Sequence, residues 1–260
     1  MAVRLEREGA VGVITLDRPP ANSYDYDFLR EFGAAVDDAR VDEDIRAVVI
    51  ASAAEKFFCA GADLKAFQAG SARRRAATTV LGHEVFRKLE NTPMIVVAAI
   101  AGHALGGGLE MAMACDLRFA ARGGYKLGLT ETNLGLFPGN GGTQRLPRIV
   151  GLSRGIDLIS RGTTFGPEEA EAFGLVDRLF DDAEACRTGA IQYAAEIAER
   201  ATEAIGRAKV AAVAGFGAPL DLGLAIEREA IARIFVSEDA DEGIRAFNEK
   251  RAPDFHKHAR

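Results

Sequence analysis

Between residues 94 and 114 the chain passes from an apolar run, through three consecutive glycines, into a run of small and apolar residues. Met94–Ala101 has the composition of a buried strand and Leu109–Ala114 that of a short helix; His103-Ala-Leu-Gly-Gly-Gly-Leu-Glu110 joins them. Such a junction demands close packing, because glycine lacks the Cβ that would hold neighbouring backbone away. Amides at a helix start have no intrahelical acceptor, and here they adjoin the carboxyl group of Glu110. Backbone donors beside an acid predict a site that holds an oxyanion while a proton moves.

Alternating segments Val3–Glu8 and Val11–Asp17 around Gly9 predict a hairpin, which Arg18-Pro19-Pro20 ends. Phe28, Leu29, Phe32, Ala35, Val36 and Ala39 recur at helical spacing, so Asp25–Arg40 is an expected amphipathic helix. Ala47–Ala51 reads as a buried strand, Phe57–Leu64 as a turn, and Ser71–Glu90 as a long helix ending near Pro93. After the glycine junction come a strand at Asp116–Ala121 and a Gly/Pro loop at Gly135–Gly142 that opens a helix through Val150. A helix at Ser153–Ser160 and a last strand at Leu175–Phe180 follow. Beyond Asp181 the pattern is helical, broken at Gly215–Pro219 and Ser237–Asp239. The expectation is an α/β core over residues 1–180, carrying the active site, and a helical C-terminal region over 181–260.

With 260 residues, 48% of them apolar, the chain is long enough for a substantial core. A net charge of −6 argues against nucleic acid as partner, since neutralising phosphates needs a basic face. Cys59, Cys115 and Cys186 are few, scattered and odd in number, so neither a disulfide framework nor a zinc site is expected. The N-terminus lacks a secretory apolar core, and the most apolar stretch falls short of the roughly 20 residues that span a bilayer. A soluble cytoplasmic protein without membrane contact is expected.

Familiar catalytic motifs are absent. The glycines at 106–108 and 139–142 miss the dinucleotide spacing, no Gly-Lys-Ser/Thr closes a phosphate loop, and no Gly-x-Ser-x-Gly elbow occurs. His83-Glu84 lacks the second histidine of a zinc protease, and the four histidines form no ligand pattern. Three segments remain: Phe58-Cys-Ala-Gly-Ala-Asp-Leu64, His103–Glu110, and Glu131 followed by Gly135-Leu-Phe-Pro-Gly-Asn-Gly-Gly-Thr-Gln-Arg145.

In this order and spacing, with Arg18-Pro-Pro-Ala-Asn22 at one end and Ala246-Phe-Asn-Glu-Lys-Arg251 at the other, these segments resemble the enoyl-CoA hydratase/isomerase (crotonase) family over nearly the whole chain. The resemblance implies a crotonase-like spiral of strand–strand–helix turns with a helical C-terminal region that oligomerises, as homotrimer or hexamer. It implies an acyl-CoA thioester substrate, coenzyme A being part of that substrate, and no metal or redox cofactor. The family's oxyanion-hole amides match Ala62 and Gly107, and the two glutamates of its hydratases match Glu110 and Glu131. Two neighbouring carboxyls that share one proton can activate water and protonate carbon, because proximity drives their proton affinities apart. Reversible hydration of a trans-2-enoyl-CoA, as in fatty-acid metabolism, is therefore the expected reaction. Double-bond isomerisation, which one base can support, or other enolate chemistry on an acyl-CoA is the alternative, and an RNA-binding relative is a more distant one.

By the same resemblance Lys56 lies near the nucleotide of coenzyme A, and Phe247 and Lys250 reach its adenine or phosphates, often in a neighbouring subunit. Ala60, Gly106 and Gly139 fall in the turns along the substrate path. Leu64, Phe67, Leu81, Phe86, Leu136 and Phe137 are the expected acyl-pocket candidates. Three departures from the family pattern stand out, the first being Leu127 in place of a commonly aromatic residue, which is expected to reshape the adjacent packing. Thr130 replaces the usual proline before the second glutamate, where its hydroxyl can cap the helix that starts there or hydrogen-bond a carboxylate and shift its proton affinity. Ser23-Tyr24-Asp25-Tyr26 replaces the common continuation after Asn22 and has no counterpart in the chemistry above.

Overall fold

The expected hairpin is present in the computed structural model of the protein, which describes residues 1–255: β1 (Val3–Glu8) and β2 (Val11–Leu16) pair antiparallel, Val3 opposite Leu16. Asp25 then caps α1 (Tyr26–Val41) by accepting the Phe28 N–H, and the apolar stripe of that helix buries Phe28, Leu29, Phe32 and Val36.

Three successive turns of a spiral follow, each placing one strand in a large sheet and one in a small sheet before a helix. The first turn comprises β3 (Ala47–Ser52), β4 (Phe57–Cys59), α2 (Leu64–Ala69) and α3 (Ala72–Glu90). The second comprises β5 (Ile95–Ile100), β6 (His103–Leu105) and α4 (Gly107–Met113). The third comprises β7 (Leu117–Ala121), β8 (Leu127–Gly128), a 3₁₀ turn at Glu131–Leu134, then α5 (Gly142–Val150), α6 (Leu152–Arg161) and α7 (Pro167–Ala172). With β9 (Arg178–Phe180), the six-stranded sheet has the order β1-β2-β3-β5-β7-β9, parallel from β2 onward, and the three-stranded sheet the order β4-β6-β8. The strand–strand–helix spiral is thus the architecture of this chain.

Two stretches differ from the expected elements. The Phe57–Leu64 turn contains β4 and the glycine junction contains β6; at three residues each, neither strand is long enough to display a period of two. The six-residue helices α2 and α7 are also too short to show a helical stripe.

The helical region is α8 (Ala183–Ala198), α9 (Thr202–Gly215), α10 (Leu220–Ile234) and α11 (Glu238–Glu249), with its breaks at both expected places. Cys186, Ala190, Ala194 and Ala198 form a small-residue row at intervals of four along α8, all buried, and this row seats α8 against β2, β3, β5 and β7. The large sheet is therefore covered on one side by a helix that lies beyond residue 180.

Candidate active site

The site begins where the strands of the small sheet hand over to helices. After β6, Gly106 takes φ 51° and ψ −127°, and Gly107 opens α4 with an amide that has no intrahelical acceptor. The segment after β4 comes alongside. A Cβ on Gly61 would stand 3.0 Å from the Gly107 nitrogen, so these two turns touch through backbone alone. Residues 21–24 hold that second turn: Ala60 N–H donates to Ala21 O at 3.0 Å, Tyr24 N–H to Gly61 O at 2.8 Å, and Asp63 N–H to Tyr24 O at 2.7 Å. In a parallel bridge of this kind the hydrogen bonds to residue 24 come from either side of Ala62, so the Ala62 amide faces the other way.

Asn22 locks this arrangement. It is fully buried in the left-handed region at φ 51°; its Oδ1 accepts the Arg18 N–H at 2.7 Å, and its Nδ2 donates to Ser52 Oγ at 2.8 Å and Phe58 O at 3.0 Å.

Glu110, one turn into α4, is 1% exposed. Its Oε1 accepts the Asn140 N–H at 2.8 Å, from the Gly/Pro loop, and the Gly142 N–H at 2.7 Å, from the first residue of α5. Burial pushes this carboxyl up to about 7; the Gly142 and Asn140 amides and the Arg145 guanidinium work against burial, and Glu131 works with it. Glu131 starts the 3₁₀ turn after β8, a turn fastened to α6 by Thr132 Oγ1 donating to Ile159 O and Asn133 Nδ2 donating to Gly162 O, each at 2.9 Å. Burial raises the Glu131 carboxyl as well. Its Oε2 is buried without a hydrogen-bond partner among the described residues. Thr130 makes no side-chain cap at this turn, contrary to expectation; its backbone, at φ −100° and ψ 5°, is outside the extended conformation from which a threonine hydroxyl reaches forward to cap.

Both acids and both amide turns border a single cavity of about 700 Å³. Of the residues expected from sequence, Ala60, Ala62, Leu64, Phe67, Gly106, Gly107, Glu110, Glu131, Leu136, Phe137 and Gly139 all line it. Leu64, Leu136 and Phe137 are exposed and give it an apolar rim. Phe86 does not line it: the ring is fully buried in the core, because the inner face of α3 packs towards α1. Leu81 likewise packs against the core rather than the cavity. Lys56, Phe247 and Lys250 are exposed and stand outside the cavity within this chain. Sequence reasoning passed over Tyr24, Thr79 and Asn140, which the structure places on the wall. For Tyr24 the unusual residues after Asn22 are a signal, and for Asn140 its place in the Gly135–Arg145 segment is one; for Thr79 no local pattern exists.

Two backbone amides beside two carboxyls of raised proton affinity, in a cavity with an apolar rim, can stabilise negative charge on a carbonyl oxygen and exchange a proton with its neighbour carbons. Comparison with known proteins bears on this arrangement. A profile of the enoyl-CoA hydratase/isomerase family matches residues 6–258. A short-chain-enoyl-CoA hydratase of Clostridium acetobutylicum is 38% identical over 250 residues, covering 96% of this chain and 95% of that protein. The human mitochondrial methylglutaconyl-CoA hydratase is 38% identical over 235 residues, covering 89% of this chain and 69% of that protein. The crystal structure of an enoyl-CoA hydratase from Geobacillus kaustophilus superposes with a TM-score of 0.95 at 41% identity, covering 98% of this chain and 96% of that one. With its spiral fold and full-length likeness, this chain belongs to the enoyl-CoA hydratase/isomerase family.

Proposed function

We propose that the protein catalyses the reversible hydration of trans-2-enoyl-CoA thioesters to 3-hydroxyacyl-CoA. The observation that carries this reading is the pair Glu110 and Glu131 on one cavity, the first buried and the second half-buried with a buried, unpartnered oxygen. Hydration needs two proton events: water loses a proton as its oxygen bonds C3, and C2 gains one. A carboxyl pair that holds a single proton near neutral pH supplies both, one member as base and the other as acid. Between these events negative charge collects on the thioester oxygen, where the Ala62 and Gly107 amides and the start of α4 receive it. Removal of one such donor typically costs roughly 3–4 kcal/mol of transition-state stabilisation.

The acyl chain is met by Leu64, Phe67, Leu136 and Phe137. Lys56, Phe247 and Lys250 belong in this reading to the nucleotide end of coenzyme A, the last two contributed by a neighbouring copy in a homotrimer or hexamer. The exposed apolar side chains of the C-terminal helices, among them Phe216, Phe235 and Phe247, support such an assembly. Among the described residues no helix is long and apolar enough to cross a membrane.

The test is the loss of enoyl-thioester absorbance when the purified protein meets crotonyl-CoA. Wild type is expected to consume it, and Glu110→Gln and Glu131→Gln are each expected to lower kcat by roughly 10²–10⁴-fold. A protein silent towards crotonyl-CoA and longer enoyl thioesters, yet able to shift the double bond of a 3-enoyl-CoA, would replace hydration by isomerisation.

A further inference from the structure

Tyr24 lines the cavity at 3% exposure and takes no part in the chemistry described above. The ring of Phe86 holds it edge-on, with centroids 6.2 Å apart and planes at 89°. Its hydroxyl donates to Asn140 Oδ1 at 3.0 Å. Asn140 Nδ2 donates to Thr79 O at 3.0 Å, which sets the amide with its oxygen towards the phenol. The backbone N–H of the same Asn140 donates to Glu110 Oε1 at 2.8 Å. Two glycines make room for this relay: a Cβ on Gly107 would overlap the Tyr24 hydroxyl, and a Cβ on Gly82 would overlap the Asn140 amide. Arg145, itself paired with Glu90 at 2.7 and 3.0 Å, holds the Asn140 carbonyl at 2.8 Å.

We propose that Tyr24 is a positioning residue for Glu110: its hydroxyl fixes the Asn140 side chain, and so aims the Asn140 amide that orients the Glu110 carboxylate. This rests on the reading that Glu110 moves a proton. The charged and titratable groups around Glu110 are Glu131, which raises its proton affinity, and Arg145, which lowers it. The Tyr24 phenol and the Cys59 thiol are neutral near pH 7, and burial raises both further, the thiol to about 12. With the Tyr24 hydroxyl gone, Asn140 keeps Thr79 and Arg145 but loses its hold on the cavity side. Its N–H then binds the carboxylate less well, and Glu110 holds its proton more tightly.

Tyr24→Phe keeps the ring and removes the hydroxyl. The infrared band of the protonated Glu110 carboxyl, identified by its loss in Glu110→Gln, is titrated in wild type and variant. The midpoint is expected to rise in Tyr24→Phe by about half a pH unit, a roughly threefold change in proton affinity. In parallel, with Glu110 acting as the base, kcat for crotonyl-CoA is expected to fall by about threefold at pH 6 with KM little changed, and the deficit to shrink as pH rises. Introduced beside Asn140→Ala, Tyr24→Phe is expected to add almost nothing, since both act through one contact. An unchanged infrared midpoint overturns the proposal, whatever happens to stability. So does a full additive loss in the Asn140→Ala background. A wild type inert towards enoyl thioesters would remove the hydratase reading instead, and the infrared midpoint would still decide the role of Tyr24.

Discussion

Burial pushes the Glu110 carboxyl up to about 7, and this has a consequence for stability as well as for proton transfer. An unfolded glutamate titrates near about 4.3, so folding favours the protonated form. The contribution is complete below about pH 4 and is lost as pH rises through about 7, where the buried group must ionise. Glu110→Gln removes the charge but keeps an oxygen to accept the Asn140 and Gly142 amides. The variant is therefore expected to exceed wild type in stability by about 2–4 kcal/mol at pH 8 and to lose that advantage at pH 4. Urea unfolding at the two pH values checks this, and an equal difference at both would refute a buried ionising carboxyl. Identifying Glu110 as a candidate required only its place beside the glycines. Its proton affinity required the loop at residues 139–142, which no local pattern ties to α4.

The critical element is the junction of β6 and α4. A Cβ on Gly108 would overlap the carbonyl oxygen of Cys59 at the end of β4, so α4 lies directly on backbone of the neighbouring strand. Gly108→Ala must push the helix off that strand and carry Glu110 with it. Overpacking of this kind costs about 1–3 kcal/mol. The expected outcome is a lower urea midpoint together with a loss of turnover larger than the fraction unfolded explains. Retention of both would show that the helix has slack at this contact. The glycine run announced close packing from sequence, but its partner, the end of β4, did not announce itself. Three-residue strands such as β4 and β6 carry too few residues to reveal a period, and their pairing partners lie in other turns of the spiral.

Across the whole molecule, the helical region is fastened to the spiral by a buried cation. Lys209 of α9 reaches Asp116 Oδ2 at 2.7 Å and donates to Met94 O at 2.8 Å and Leu89 O at 3.2 Å, its side chain 5% exposed. Removing one partner strands the other in a poorly solvated site, which costs roughly 3–5 kcal/mol. Lys209→Met is accordingly expected to lower stability by that order. Arg161→Ala and Arg233→Ala, which break exposed helical pairs with Asp157 and Glu229, are expected to change it by less than about 1 kcal/mol. Denaturant melts of the three variants separate the cases; a Lys209→Met protein as stable as wild type would mean that α9 is held by apolar packing alone. Nothing in the pattern of α9 singles out this lysine, because a lone basic residue on a helix looks the same whether it meets water or a buried acid.

What the amino-acid order determined by itself is whatever depends on near neighbours. The hairpin around Gly9, the stripe of α1, the long α3 with its Ser71 cap, the apolar β3 and β5, and both breaks in the helical tail all follow from local periodicity and turn chemistry. The resemblance to the family joined the three glycine- and acid-bearing segments into one expected site, and all three border one cavity. Tertiary structure alone decided which apolar residues became wall and which core, so that Phe137 stands at the rim while Phe86 is buried behind Tyr24. It also left Thr130 without a capping role and brought the Tyr24 hydroxyl to a side chain 116 positions further along the chain. Periodicity records how each residue relates to those within a turn or two of it. Contacts between turns of a spiral depend on how sheets and helices stack, and that is settled only when the whole core packs.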